Sequence, residues 1–203
     1  DGYSRMRARP IGALLMPLTQ LGAQVKGTEH LRSTVCPPIE IIASGLTGGK
    51  AGIAGNISSQ FLSALLMVAP YADTPVEINI TTELNSKPYV DLTLSIMAAV
   101  GVNVERDGFK CFLIYPAKYR PISEYLIESD ASSASYFFAT PAICGGSVRV
   151  ENISRKSKQG DMKFLDILEK MGCLVKENNN SVEVIGSEQI VGVDVDMGDI
   201  SDT

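Results

Sequence analysis

Gly55-Asn56-Ile57-Ser58-Ser59-Gln60-Phe61-Leu62-Ser63-Ala64-Leu65-Leu66-Met67-Val68-Ala69-Pro70 is the stretch around which this chain is organised. It opens with glycine and small polar residues and turns at once into an apolar run. The pattern predicts a helix from about Ser59 to Ala69, stopped by Pro70. Serine at a helix start caps free backbone N–H groups. Those N–H groups, with the positive end of the helix dipole, also make a site for an anion. Ser58, Ser59 and Gln60 therefore suit a phosphate or carboxylate on a small hydroxylated ligand. The competing reading is an ordinary capped core helix.

Upstream, Arg5, Arg7 and Arg9 alternate before Pro10. Proline favours the first helical position, so a helix is predicted from Pro10, with Ile11, Leu14, Leu15, Leu18 and Leu21 as its stripe and Gly22 as its stop. Pro17 should kink or shorten it. Arg9 stands at the mouth of that helix, where its guanidinium fork suits a carboxylate or phosphate. From Val25 to Gly55 the chain reads as glycine-punctuated strands, with Pro37-Pro38-Ile39-Glu40-Ile41-Ile42 as an edge segment. Gly-Leu-Thr-Gly-Gly-Lys at residues 45–50 lacks the spacing of a nucleotide-binding phosphate loop.

Downstream, Val76, Ile78 and Ile80 alternate as a half-buried strand. Ser86 is a plausible helix cap, Pro88 falls in the first turn, and Val90, Leu94 and Met97 form the buried stripe before Gly101. A hairpin is predicted over Val102–Tyr115, with Asp107-Gly108 as a two-residue turn signal. Tyr125–Ile127 reads as one more strand. Asp130 or Ser129 should cap a helix running through Phe137 and Ala142 to Gly145-Gly146. Val148 and Val150 then begin a strand. Gln159-Gly160-Asp161 leads into a helix stopped by Gly172, a second hairpin turns near Asn178–Asn180, and Asp194–Met197 is strand-like.

Three helix ends look alike. The stops at Gly22, Gly101 and Gly172 are spaced by 79 and 71 residues, and hairpins follow the last two. The chain is thus expected to repeat a β-α-β-α-β-β unit, with two complete units and the tail of an earlier one.

Composition narrows the function. The 203 residues are 45% hydrophobic and 20% charged, as in an ordinary globular protein. The net charge of -5 speaks against nucleic acid held by bulk electrostatics. No apolar run of about 18 residues and no secretory signal is present, so no membrane span is expected. Cys36, Cys111, Cys144 and Cys173 are widely spaced and His30 is the single histidine, a set unsuited to a zinc site. The expected compartment is reducing, the cytoplasm or an organelle.

Ser-Ser-Gln-Phe-Leu-Ser-Ala-Leu-Leu followed by Ala-Pro resembles the signature of the 5-enolpyruvylshikimate-3-phosphate synthase (EPSP synthase) family, and the similarity continues over essentially the whole chain. It implies an α/β (α+β) inside-out barrel, the enolpyruvyl transferase fold, in two lobes of three repeated units with the active site between them. Residues 1–128 would be the last two units of the first lobe, one partial, and residues 129–203 a unit of the second. The activity implied is enolpyruvyl transfer from phosphoenolpyruvate to the 5-hydroxyl of shikimate 3-phosphate, with no metal or organic cofactor. The expected enzyme is a cytoplasmic monomer (plastid in a plant) with no nucleic-acid or membrane partner.

Residue by residue, the resemblance implies that Arg9, in Arg-Pro-Ile-Gly, contacts phosphoenolpyruvate. Ser58 and Ser59 would hold the 3-phosphate and Gln60 would touch both substrates. Ser86, in Ser-Lys-Pro-Tyr, would bind the phosphate, and Tyr89 would pack near the shikimate ring. Asp202 would accept the proton of the attacking hydroxyl. The run from Asp130 to Phe137 is also family-like and reads as hinge and helix cap. Gly198 and Ser201 replace the family's usual asparagine and frequent proline beside Asp202. A Lys-Ser pair with a following arginine, a Gly-Asn-Ala-Gly-Thr loop and a basic cluster after Asp202 are missing from these residues, as in an internal fragment. Alternatives are the sister transferase acting on UDP-N-acetylglucosamine, or a non-catalytic binding module of the same fold.

Overall fold

The computed structural model describes residues 1–203 apart from 31–33, 43 and 201, and the side chains of Glu29 and His30. Ser201 and the His30 side chain, both weighed above, lie outside the described residues. The chain divides into two compact units, Asp1–Pro121 and Ile122–Thr203. Residues 122–128, assigned to the first lobe from the sequence, group with the second unit.

The first unit opens with a short helix, α1 (Ser4–Arg7), and a longer one, α2 (Gly12–Gln20). The latter starts two residues later than Pro10 suggests, because the Ile11 N–H bonds to Val35 O at 2.9 Å and holds that residue out of the helix. Pro17 lies inside α2, and Gly22 ends it with φ +98°, a conformation that favours glycine. Strands β1 (Gln24–His30) and β2 (Thr34–Ile42) form an antiparallel pair with a register shift at Gly27/Thr28.

A complete unit follows. It runs β3 (Gly49–Ile53), α3 (Ser59–Val68), a 3-10 turn (Ala69–Tyr71), β4 (Val76–Ile80), α4 (Lys87–Ala99), β5 (Glu105–Asp107) and β6 (Cys111–Ile114). The sheet order is β3-β4-β6-β5, with β3 and β4 parallel and the other pairs antiparallel. Leu62, Leu65 and Leu66 of α3 and Val90 and Met97 of α4 are buried with Ile53, Ile78, Phe112 and Ile114 of the sheet. Their spacing is what puts them on one face. The β5–β6 hairpin closes with three residues, Gly108-Phe109-Lys110, and not two, since Asp107 pairs with Cys111. Phe109, in that turn, packs back on the core with the Arg106 guanidinium over its ring at 5.0 Å.

The second unit carries α5 (Ala131–Cys144), β7 (Ser147–Glu151), a 3-10 turn (Gly160–Lys163), α6 (Phe164–Lys170), β8 (Leu174–Asn178) and β9 (Ser181–Ile185). Its sheet order is β7-β9-β8. Leaving out β3, this is the order of the first sheet, so the repeat read from the glycine stops is a repeat of topology. Its core holds Ala134, Phe138, Ile153, Leu165, Leu168, Val182 and Val184.

Among the described residues, two expected strands are not formed. Tyr125–Ile127, in the place of β3, is an exposed segment outside any strand, with Leu126 80% and Ile127 78% exposed. Its end alone is tied to the end of β7, by Asn152 Nδ2 to Ile127 O at 2.9 Å and Ser129 N to Asn152 O at 2.8 Å. Asp194–Met197 alternates in sequence but has no paired strand among the described residues. There the Asp196 side chain accepts from Gly198 N at 2.8 Å and the Ile200 N–H returns to Met197 O, turning the chain locally.

Candidate functional site

Helices α3 and α4 each follow one of two adjacent parallel strands. Ile53 and Ile80, the last residues of β3 and β4, are register partners. Both helices therefore start at the carboxyl end of the sheet, where open α/β sheets bind ligands. A hydrogen bond of 2.8 Å between Ser63 Oγ and Thr93 Oγ1 holds the helices side by side.

The two loops leading into the helices are bonded to each other. Thr82 Oγ1 accepts from Asn56 N at 3.1 Å and donates to Asn56 Oδ1 at 3.0 Å. Asn85 Nδ2 donates to Asn56 O and Asn85 N to Gly55 O, both at 3.2 Å. Gly55 lies against backbone: a Cβ there would stand 2.8 Å from Leu84 Cα and 3.0 Å from Glu83 O. The sequence-predicted Ser58, Ser59 and Gln60 and the predicted Ser86 and Tyr89 are thus carried on two adjoining helix heads.

Each of these residues has a distinct setting. Ser58 caps α3, its Oγ accepting from Gln60 N at 3.2 Å. A hydroxyl that accepts still has its own proton to donate, which an oxyanion requires. Ser59 is 7% exposed and Gln60 is exposed. Ser86 stands at the cap position of α4 but makes no side-chain cap bond and is left-handed, with φ 54° and ψ 45°. For a non-glycine residue that conformation is strained, a mark frequent at functional sites. Tyr89, in the first turn of α4, is half-buried. Arg9 is exposed between α1 and α2, and α2 packs against β3 and α3. Asp202 is an exposed residue of the second unit, near the buried Ile200 and the Lys163–Asp199 ion pair at 2.7 Å.

The corresponding helix head of the second unit is built differently. Asp130 caps α5, accepting from Ser132 N at 3.2 Å, Ser133 N at 3.3 Å and the Ser133 hydroxyl. Gln159 Oε1 takes the Ala131 N–H at 2.7 Å, and the Ser132 hydroxyl donates to the buried Asp161 carboxylate. Bonding from Ser133 holds the Asp130 carboxyl below the ordinary carboxylate range, against the opposing pull of its partial burial. The α5 head therefore supplies its own negative charge, while the α3 head is capped by a neutral hydroxyl. Sequence reasoning singled out both caps. It missed the Asn56, Thr82 and Asn85 bridge, which joins residues 26 to 29 positions apart and leaves no local pattern.

A repeated α/β unit whose parallel strands deliver two hydroxyl-bearing helix heads to one end of the sheet is the class of domain the fold defines. The chain belongs to the EPSP synthase family, whose model, described as EPSP synthase (3-phosphoshikimate 1-carboxyvinyltransferase), matches residues 1–203. It is 49% identical over 202 residues to a 3-phosphoshikimate 1-carboxyvinyltransferase of Shewanella denitrificans and 46% identical to that of Serratia proteamaculans, covering 99% of this chain and 46% of each relative. The chain thus spans about half the length of these relatives. Among solved structures, an EPSP synthase from Acinetobacter baumannii shares the fold with a TM-score of 0.74 at 23% identity, over 99% of this chain and 46% of that one. These matches favour the EPSP synthase family over the UDP-N-acetylglucosamine sister enzyme. Among the described residues, no helix is long and apolar enough to cross a membrane.

Proposed function

We propose that the full-length protein transfers the enolpyruvyl group of phosphoenolpyruvate to the 5-hydroxyl of shikimate 3-phosphate and releases inorganic phosphate. The observation that supports this most is the pairing of the α3 and α4 heads by the Asn56–Thr82–Asn85 bridge. The 3-phosphate is assigned to the hydroxyls of Ser58, Ser59 and Ser86, with the α3 dipole adding attraction. Gln60 offers an amide to both substrates, and Tyr89 gives its ring face to the cyclohexene. Arg9 holds the phosphoenolpyruvate through paired N–H groups.

Asp202 takes the proton of the 5-hydroxyl as its oxygen bonds to C2 of phosphoenolpyruvate, while C3 takes a proton from water. In the tetrahedral adduct the C2–O bond to phosphate then breaks, C3 returns a proton to water to restore the double bond, and the proton held by Asp202 leaves with the released phosphate. General base catalysis of this kind contributes about 10²–10⁴-fold. Holding both substrates in line contributes much of the rest. The protein is proposed to act as a cytoplasmic monomer.

Calorimetry and a phosphate-release assay on the full-length protein test this reading. Shikimate 3-phosphate should bind and UDP-N-acetylglucosamine should not. Asp202→Ala should lose rate and keep shikimate 3-phosphate affinity. A variant that turns over at the normal rate removes Asp202 from the mechanism, and binding without turnover in the native protein makes it a non-catalytic module.

A further inference from the structure

Ser86 holds a strained backbone angle, does not cap its helix, and follows Asn85, which is bonded twice to the facing loop. These facts have one explanation. Asn85 is pinned through its own N–H to Gly55 O and through its side chain to Asn56 O. On its other side, Ser86 O already accepts the Tyr89 N–H at 3.2 Å, as the first turn of α4. Ser86 is caught between a fixed loop and a fixed helix, and the left-handed angle is what joins them. Its hydroxyl, which in a relaxed cap would accept from the N–H groups of α4, makes no cap bond.

The opposite end of the bridge reaches the α3 head. Asn56, the acceptor of Thr82 and Asn85, lies two residues before the cap Ser58. Thr82 closes a two-bond ring with Asn56, using its hydroxyl as donor and acceptor at once. Asn56, Thr82 and Asn85 are all exposed, so these bonds add little to the core's stability. They join the loop that leads to Ser58 to the loop that leads to Ser86.

We propose that Thr82 and Asn85, acting through Asn56, are positioning residues that hold the α3 and α4 heads at the separation at which one phosphate engages Ser58 and Ser86 together. The inference rests on the function proposed above. None of the three touches the ligand in this scheme. Losing the bridge lets the heads drift, so a phosphate held by one serine is no longer in reach of the other.

The experiment is steady-state kinetics on the full-length protein with shikimate 3-phosphate and phosphoenolpyruvate. Ser86→Ala first tests the underlying reading and should raise KM for shikimate 3-phosphate. Thr82→Val, which keeps the shape and deletes the hydroxyl, should raise the same KM about three- to tenfold, the range for a lost neutral hydrogen bond or two. KM for phosphoenolpyruvate and kcat should stay near native, the signature of lost ground-state positioning. Asn85→Ala should behave alike, and Thr82→Ser should recover the native value. In a Ser86→Ala background, Thr82→Val should add nothing, because the partner it aligns is gone.

An unchanged KM in Thr82→Val beside a raised KM in Ser86→Ala overturns the bridge and leaves the function standing. So does an additive double variant, or a loss explained by a large drop in unfolding temperature. Absence of turnover in the native protein, or an unchanged KM in Ser86→Ala, overturns the phosphate site itself and the bridge with it.

Discussion

Ser58 and Asp130 each cap the helix that leads into the next strand of the repeated unit. Both satisfy backbone N–H groups, but only the serine does so without charge. Ser58→Asp should therefore separate stability from binding. Aspartate caps about as well as serine and suits the helix dipole, so the unfolding midpoint should hold within about 0.5 kcal/mol. Shikimate 3-phosphate binding, read by calorimetry, should be lost to charge repulsion. Retained binding would mean that the α3 head meets no anion. Asp130→Ala probes the other cap and should cost the second unit about 1 kcal/mol at neutral pH. The sign with pH follows from the lowered Asp130 carboxyl. Its stabilisation is fully present above the unfolded carboxylate value near 4 and fades as pH falls through the lower folded value. Urea titrations at pH 7 and near pH 3 should show the native and variant curves converging in acid. A gap that widens in acid contradicts the cap.

At the level of elements, the site depends on how closely β3 and β4 hand over to their helices. Gly55 is the tightest point, with Leu84 Cα and Glu83 O where a side chain would go. Gly55→Ala should push the two loops apart, costing about 1–3 kcal/mol in denaturant titrations and weakening shikimate 3-phosphate binding. A variant of native stability and affinity would show that the loops yield freely. Most elements here were legible from the sequence, because proline and glycine mark their ends in this chain. Pro70 closes α3 through its 3-10 turn, and Gly101 and Gly172 stop α4 and α6 with positive φ. Asn178–Asn180 turns the β8–β9 hairpin. Where the reading failed, the missing information was a partner. Tyr125–Ile127 and Asp194–Met197 have strand-like residues, yet pairing is a property of a neighbouring chain segment and not of the run itself. The site was legible in part for the same reason. The capping serines announce themselves locally, while the strained Ser86 and its Asn56–Thr82–Asn85 bridge exist only once β3 and β4 are side by side.

For the molecule as a whole, each unit has its own buried cluster, one around Leu65, Ile78 and Phe112 and one around Phe138, Leu165 and Val184. Such cores allow these 203 residues to fold without establishing that they catalyse. The chemistry asks for more charge than they supply. Both proposed substrates carry a phosphate and a carboxylate. Of the residues assigned to them here, Arg9 alone is positive, on a chain whose net charge is -5. Neutral hydroxyls place a phosphate by hydrogen bonds, but bringing two polyanions together, and stabilising the charge that develops as phosphate leaves, calls for fixed cations in a site closed to water. The chain covers 46% of its relatives' length, and the proposed reaction draws those groups from outside these residues. The 203-residue chain on its own should accordingly release no phosphate above background from shikimate 3-phosphate and phosphoenolpyruvate in a coupled assay. The full-length protein should do so readily under the same conditions. Turnover by the short chain, abolished by Asp202→Ala, would show instead that Arg9 and the two helix heads hold both substrates unaided, and that the electrostatic demand set out here is too large.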